Sequence, residues 1–383
     1  LELNGSGLLS ATSLTATGGD IDINTGAVTA TGALSATDDV LVDSAGAVSL
    51  GGVVTADSDS SGAGSVAIGA SVDPSSLSIT GATSGVSVDL DAVGDLSTGA
   101  VSTTAGNLAI DSATGNIVGG VLSAMGGDIS TNSAAGSTLL GTQTASGSVT
   151  GNSGTTYGSG LITTTTGNVG VTSGDTATIA GLSSGGSASV SAATGDVVLS
   201  ADAGSVGTLS LSATTGDVRT TNGAALSTSG TAALVDIDAA GAVDVDDVTT
   251  SGAGSNVDMN AGTAVTVGDT SVTGTQALTA GTTLTGGALS ATGTSTLQAG
   301  GDITTASITS SAGGIDVDST GAGALDLGVL NAATTLALDT AGTVTAGATM
   351  AGGALTVGAN TPGTTVTFTD AVSAASLELN GSG

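Results

Sequence analysis

Aspartate is the only residue type in this chain numerous enough to do chemistry in concert, and it recurs in alternation: Asp20/Asp22, Asp89/Asp91, Asp236/Asp238, Asp244/Asp246 and Asp316/Asp318. A spacing of two on an extended strand puts both carboxylates on one face. That face is expected to point outward, because an aliphatic residue separates each pair. Two chemistries follow. A hard cation such as Ca²⁺ takes several carboxylate and carbonyl oxygens in flexible geometry, and Asp236, Asp238, Asp244, Asp246 and Asp247 are the candidate ligands, the last three forming the densest cluster. Alternatively the carboxylates form a solvated acidic surface that keeps a long assembly soluble and blocks sideways association. The chain contains neither a Gly-Gly-x-Gly-x-Asp nonapeptide nor an EF-hand loop, so Ca²⁺ stays an optional cofactor and none is required.

Catalysis is not expected. A catalytic site needs convergent acid, base and substrate-holding groups. The chain has no His, Cys, Lys or Trp, and one each of Arg219, Tyr157 and Phe368. A carboxylate-only glycosidase stays formally open, with Tyr157 and Phe368 alone to stack on a sugar. Arg219 is assigned to a surface ion pair with a nearby carboxylate such as Asp217. Ser and Thr are so abundant that no single one stands out as a nucleophile.

The elements that position these residues are short strands. Asp20-Ile21-Asp22-Ile23, Val86–Asp91, Val235–Asp238 and Thr365–Thr369 alternate aliphatic with polar residues, the period of a half-buried strand. Helical periodicity is absent. Turns recur on a fixed beat: Gly174-Asp175, Gly195-Asp196 and Gly216-Asp217 are 21 residues apart, as are Gly106-Asn107 and Gly127-Asp128, while Gly26-Ala27-Val28 and Gly46-Ala47-Val48 are 20 apart. A unit of about 20 residues, with Gly at corners and strands between, is the mark of a β-solenoid coil. Aliphatics without aromatics fill a long, thin core, whereas a compact globule of 383 residues would need rings. Only Pro74 and Pro362 occur, each beside a turn-like stretch, which fits a backbone that needs its amides for inter-coil pairing. The Gly/Ser-rich stretches Ser58–Ser65 and Ser146–Gly160 read as enlarged corners. Tandem immunoglobulin-like domains are the rival architecture, disfavoured by the short period and the lack of Trp.

A longer repeat encloses the short one. The heptapeptide LELNGSG occupies Leu1–Gly7 and Leu377–Gly383 and holds both glutamates, Glu2 and Glu378. The chain is read as one 376-residue tandem period, 1–376, plus the first seven residues of the next, 377–383; a linker scar at both ends is the alternative. The expectation is one continuous all-β segment over 1–383, a single-stranded right-handed parallel β-solenoid of about 18 coils. At about 4.8 Å per coil it would extend about 86 Å.

Recurrent phrases such as Gly-Gly-Asp-Ile (Gly19, Gly127 and Gly301 directly before the Asp), Gly-Ala-Val, Gly-Ala-Leu and Leu-Ser-Ala-Thr resemble the repeats of filamentous haemagglutinin-type and other giant bacterial surface adhesins. The resemblance covers nearly the whole chain. It implies a right-handed parallel β-helix, export to the cell surface, and a role in adhesion or in an extracellular fibre. Unlike complete members of that group, this segment shows no secretion or anchoring region and no Arg-Gly-Asp triplet.

Charge restricts the partners. The net charge of −31, spread over about 86 Å, is roughly one negative charge per 2.8 Å, not far below the density of duplex DNA. Nucleic acid and unassisted binding to anionic membranes are excluded on this reading, and no apolar run is long enough for a membrane helix. The expected partners are other copies of the chain, by coil stacking or lateral bundling, and polymers on another cell's surface. With no cysteine, stability rests on ladder hydrogen bonds and stacking, in keeping with an extracellular, cell-surface location. Asn4-Gly5-Ser6 and Asn380-Gly381-Ser382 read as corner turns before they read as glycan acceptors. A Thr-rich solenoid that binds a small ligand or an ice surface is the second functional reading.

Overall fold

The computed structural model describes residues 1–358 and 365–380. Every regular element among them is a β-strand and every inter-strand register is parallel, forming a β-solenoid of about 19 turns. Two compact units divide it, Leu1–Gly186 and Ser187–Gly383. Pro362 and residues 381–383, the end of the second heptapeptide, lie outside the described residues.

In the first unit most coils have three strands, and in its last two the second and third faces join in one strand, Tyr157–Thr164 and Ala177–Ser184. The first face stacks Ile21–Thr25, Val40–Ser44, Val66–Ile68, Val88–Ala92, Leu108–Ser112, Ile129–Ser133, Val149–Ser153 and Val169–Ser173. The second runs from Leu8–Ala11 through Leu96–Thr98 and Ile117–Gly119, and the third from Leu14–Ala16 through Val101–Thr103 and Leu122–Ala124. Alternation sends Ile21, Ile23, Leu34, Leu90, Leu108 and Ile110 into the bore, where each stacks on its counterpart one coil away. Layers of Val, Leu, Ile and Ala fill the bore, in keeping with a composition almost without rings.

The fifth first-face position is inward yet commonly hydroxylic, and the geometry shows why. Ser112, Ser133 and Ser153 donate through Oγ to the corner carbonyls of Gly94, Gly115 and Gly136 at 2.9, 2.7 and 2.9 Å. These bonds give the inward corner carbonyls of Gly94 and Gly115 a donor, and add a second to that of Gly136, which also accepts from Thr155 N–H at 3.0 Å. Corner glycines stack where no side chain fits; a Cβ on Gly115 would strike the backbone of Gly94.

The second unit repeats the plan. Its first face runs from Ala188–Ala192 through Leu234–Ala239, Asn256–Ala261 and Ile315–Ser319 to Leu336–Thr340. Several coils merge second and third faces into one eight-residue strand, such as Leu284–Ala291 and Ile303–Ser310.

Coil length varies more than the sequence rhythm suggests. Val66 lies opposite Val40, a step of 26 residues, because Asp57–Ser65 forms an enlarged corner; a second, Gly69–Ser75, holds buried Pro74. The stretch Ser146–Gly160 is not a corner. It folds into first-face strand Val149–Ser153 and the start of strand Tyr157–Thr164, its glycines packing against side chains or stacked backbone. No helix among the described residues is long and apolar enough to cross a membrane.

Candidate functional site

The Gly-Asp and Gly-Asn phrases place a carboxylate or amide at the corner that enters a strand, and there it bonds to the next coil. Asp39 N–H donates to Asp20 Oδ1 (3.0 Å), Ser65 N–H to Asp39 Oδ1 (2.7 Å), Asp128 N–H to Asn107 Oδ1 (3.0 Å) and Ser148 N–H to Asp128 Oδ1 (2.6 Å). The second unit does the same through Asp196 to Asp217 (3.0 Å), Asp217 to Ala242 (2.7 Å) and Asp302 to Ala324 (2.7 Å). Each tied residue also gives its carbonyl to the strand below, as Asp39 does to Ile21 N–H and Asp217 to Val197 N–H at 2.9 Å each. These carboxylates therefore extend the ladder around the corner. Asp128→Asn should leave stability within about 0.5 kcal/mol, since Asn107 and Asn116 do the same work, while Asp128→Ala should cost about 1 kcal/mol. Amide exchange at Ser148 checks it: acceleration by Ala and not by Asn is expected.

A second set of acids points outward from first-face strands. Asp89 and Asp91 share a strand, and Asp91 lies opposite Asp111. Asp236 and Asp238 share another, with Asp236 opposite Asp258 and Asp238 opposite Asn260. Asp316 and Asp318 share a third, Asp318 opposite Asp339. Partial burial among neighbours raises the pKa of Asp89, Asp236, Asp258 and Asp316, and adjacent carboxylates add to the rise. Asp91 is pushed up to about 7, first by burial and then by Asp89, Asp111 and Asp73. Protons or cations relieve this crowding, which is the chemistry the stripe can do.

The five proposed Ca²⁺ ligands do not share one place in the coil. Asp236 and Asp238 belong to the first face; Asp244 lies on second-face strand Val243–Val245; Asp246 and Asp247 form the corner after it. Two are already engaged: Asp246 Oδ2 accepts from Thr220 Oγ1 at 3.2 Å and Asp247 Oδ1 from Asp269 N–H at 2.9 Å. Among the described residues no three His, Cys, Asp or Glu side chains gather in a group able to hold a metal ion.

Arg219 pairs with Asp196 at 2.7 Å, not with Asp217. Asp196 is the corner residue one coil below, within reach of an outward guanidinium, while Asp217 Oδ1 is taken by Ala242 N–H. Both partners are partly exposed, so the pair is worth at most about 1 kcal/mol. Tyr157, considered for sugar stacking, is 1% exposed and lies inside the bore.

One feature escaped sequence reasoning. On the third face of the first unit the outward position is a hydroxyl in nine successive coils: Thr15, Ser35, Thr55, Ser84, Ser102, Ser123, Thr144, Thr163 and Ser183. In the second unit Ser227, Thr249, Ser271, Ser290 and Thr309 form a like column. The signal is a Ser/Thr centred in each three-residue third-face segment, but coil steps vary, so the alignment shows only once the register is known. No protein-family profile, curated protein or solved structure matches the chain.

Proposed function

We propose that this chain is a structural repeat of an extracellular fibre or giant adhesin stalk on a bacterial surface, acting through length, stacking and its acidic exterior. The observation that carries the reading is the arrangement of outward chemistry: carboxylates crowd the first face around Asp91, Asp238 and Asp318, and hydroxyls line the third face over nine successive coils of the first unit and five of the second. A surface of repeated columns suits many weak contacts along a polymer or a neighbouring fibre. The resemblance to haemagglutinin-type repeats points the same way.

Beads coated with the chain test it. Attachment to bacterial surfaces or to one another, without release of reducing ends from any polysaccharide supplied, is the expected result; turnover of a polysaccharide would overturn the reading. Bead clustering compared in CaCl₂ and NaCl at matched ionic strength separates carboxylate bridging from screening, with stronger clustering in Ca²⁺ expected of the crowded first-face pairs. The hydroxyl column favours a second reading, binding to an ordered surface such as ice. A single column matches a lattice in one dimension, and inhibition of ice recrystallisation by the free chain would support it over the stalk.

A further inference from the structure

The described residues of the second heptapeptide, Leu377–Asn380, hold the same place in the coil as Leu1–Asn4. In the first unit Glu2, Leu3 and Asn4 lie opposite Asp22, Ile23 and Asn24, and the Leu3 column continues through Val42, Ile68 and Leu90 at the centre of the first face. In the second unit Leu377, Glu378 and Leu379 lie opposite Leu355, Thr356 and Val357, and the Leu379 column runs back through Leu338, Val317 and Leu297, again at the centre of the first face. Local geometry agrees: Asn4 Nδ2 donates to Glu2 Oε1 at 2.6 Å, and Asn380 Nδ2 to Glu378 Oε1 at 3.0 Å. From the strand holding Leu3 to the strand holding Leu379 the described residues form nineteen first-face segments, hence eighteen steps in 376 residues. The sequence period is a whole number of coils.

This fixes what fits on the last described coil. Strand Thr365–Phe368 and both halves of Val372–Leu379 present one edge each, with Val372, Leu377 and Leu379 37%, 53% and 51% exposed. We infer that this edge is the seat of a second copy of the same sequence, joined in tandem and entered just after its heptapeptide. Leu8–Ala11 of that copy lies on Thr365–Phe368, Leu14–Ala16 on Val372–Ala374, and Ile21–Thr25 on Leu377–Leu379, the strand it already covers in the first unit as Leu1–Asn4. Parity agrees on every face. Leu9 and Ala11 are the less exposed residues of their strand and meet Val366 and Phe368, so the Phe368 ring sits between Ala346 and an incoming alanine. Thr15 falls on Ser373, the outward residue of its segment, so that two outward hydroxyls meet at the joint. A shift of one residue would turn every one of these side chains over. An unjoined copy brings its own Leu1–Gly7 to a place already filled, so separate chains meet with one strand too many.

The inference rests on the stalk reading and gives its joint. Two chains test it: residues 1–376 followed by 1–383, and the same chain lacking ten residues, half a coil, at the junction. Hydrogen exchange is followed on the peptide covering Val372–Leu379, present twice in each. In the in-phase chain this peptide should split into two equal populations, the seated one exchanging at least about tenfold slower; in the half-coil chain it should stay single and fast. A single fast population in the in-phase chain, or equal splitting in both, overturns the inference. The bead experiment is independent, so failure here with attachment intact leaves the stalk and removes only the in-phase joint.

Discussion

Gly151→Val should open the coil around it, and Tyr157→Val in the same chain should close it again. Tyr157 enters the bore from the second face, opposite Thr138 and Ala177, and its ring crosses to the first face over Gly151. A Cβ on Gly151 would overlap ring atoms Cε2, Cζ and Oη. The third face supplies the polar partner: Gln143 Nε2 donates to Tyr157 Oη and to Ser159 Oγ, each at 2.8 Å. One glycine and one aromatic thus stand where the next coil has Val171 and Ala177, and the amide comes from the coil below. Gly151→Val forces the ring out and should cost about 3 kcal/mol or more, while Tyr157→Val leaves a cavity and removes one of the two acceptors of the buried Gln143 amide, at about 3–5 kcal/mol. The double variant restores an aliphatic layer and should lose less than either single change. Because stacked coils lose stability locally, the readout is amide exchange across Gln143–Thr164. A double variant as exposed as the sum of the singles would show that the ring and the glycine do not share one space.

This triad also shows where sequence reading reaches its limit. The coil rhythm was legible from Gly-Asp and Gly-Asn spacings, since those residues sit at the corners and hold them. Strand polarity was legible in Val235–Asp238 because alternation maps directly onto bore and solvent. Gly151 and Tyr157 are six residues apart on different faces, and their contact depends on how the ring spans the bore, which no periodicity encodes. Gln143 stands in line with Leu122 and Ile162 as an inward residue, so its polarity hides its place. The stretch Ser146–Gly160 misled for the same reason: Gly and Ser there serve packing where composition alone suggests a turn. The acids were the hardest to sort. Asp20 and Asp22 look like one pair, yet Asp20 caps a corner and Asp22 faces outward on a strand.

The outward acids give the second large effect, and its sign runs against ordinary acid denaturation. Most proteins lose stability in acid because ion pairs break; the ion pair described here joins Arg219 to Asp196. Asp91 titrates at about 7 in the folded chain against 3.8 without its surroundings. Its folded pKa lies above the unfolded one, so between those values the folded state binds more protons and stability must rise as pH falls. The penalty is complete above pH 7, shrinks as pH drops through 7, and is gone below about 4. A shift of that size corresponds to about 4 kcal/mol if unscreened, and the solvent around a partly exposed carboxylate reduces it to about 1–2 kcal/mol. Asp89, raised by burial and by Asp111, acts in the same sense. Amide exchange across Val88–Ser112 should therefore slow between pH 8 and 5 once corrected for intrinsic pH dependence. Asp91→Asn should slow it at pH 8 and flatten most of the remaining slope. A corrected profile that is flat in the parent chain, or equally steep after Asp91→Asn, would mean that the stacked carboxylates are fully solvated and that their repulsion does not oppose folding.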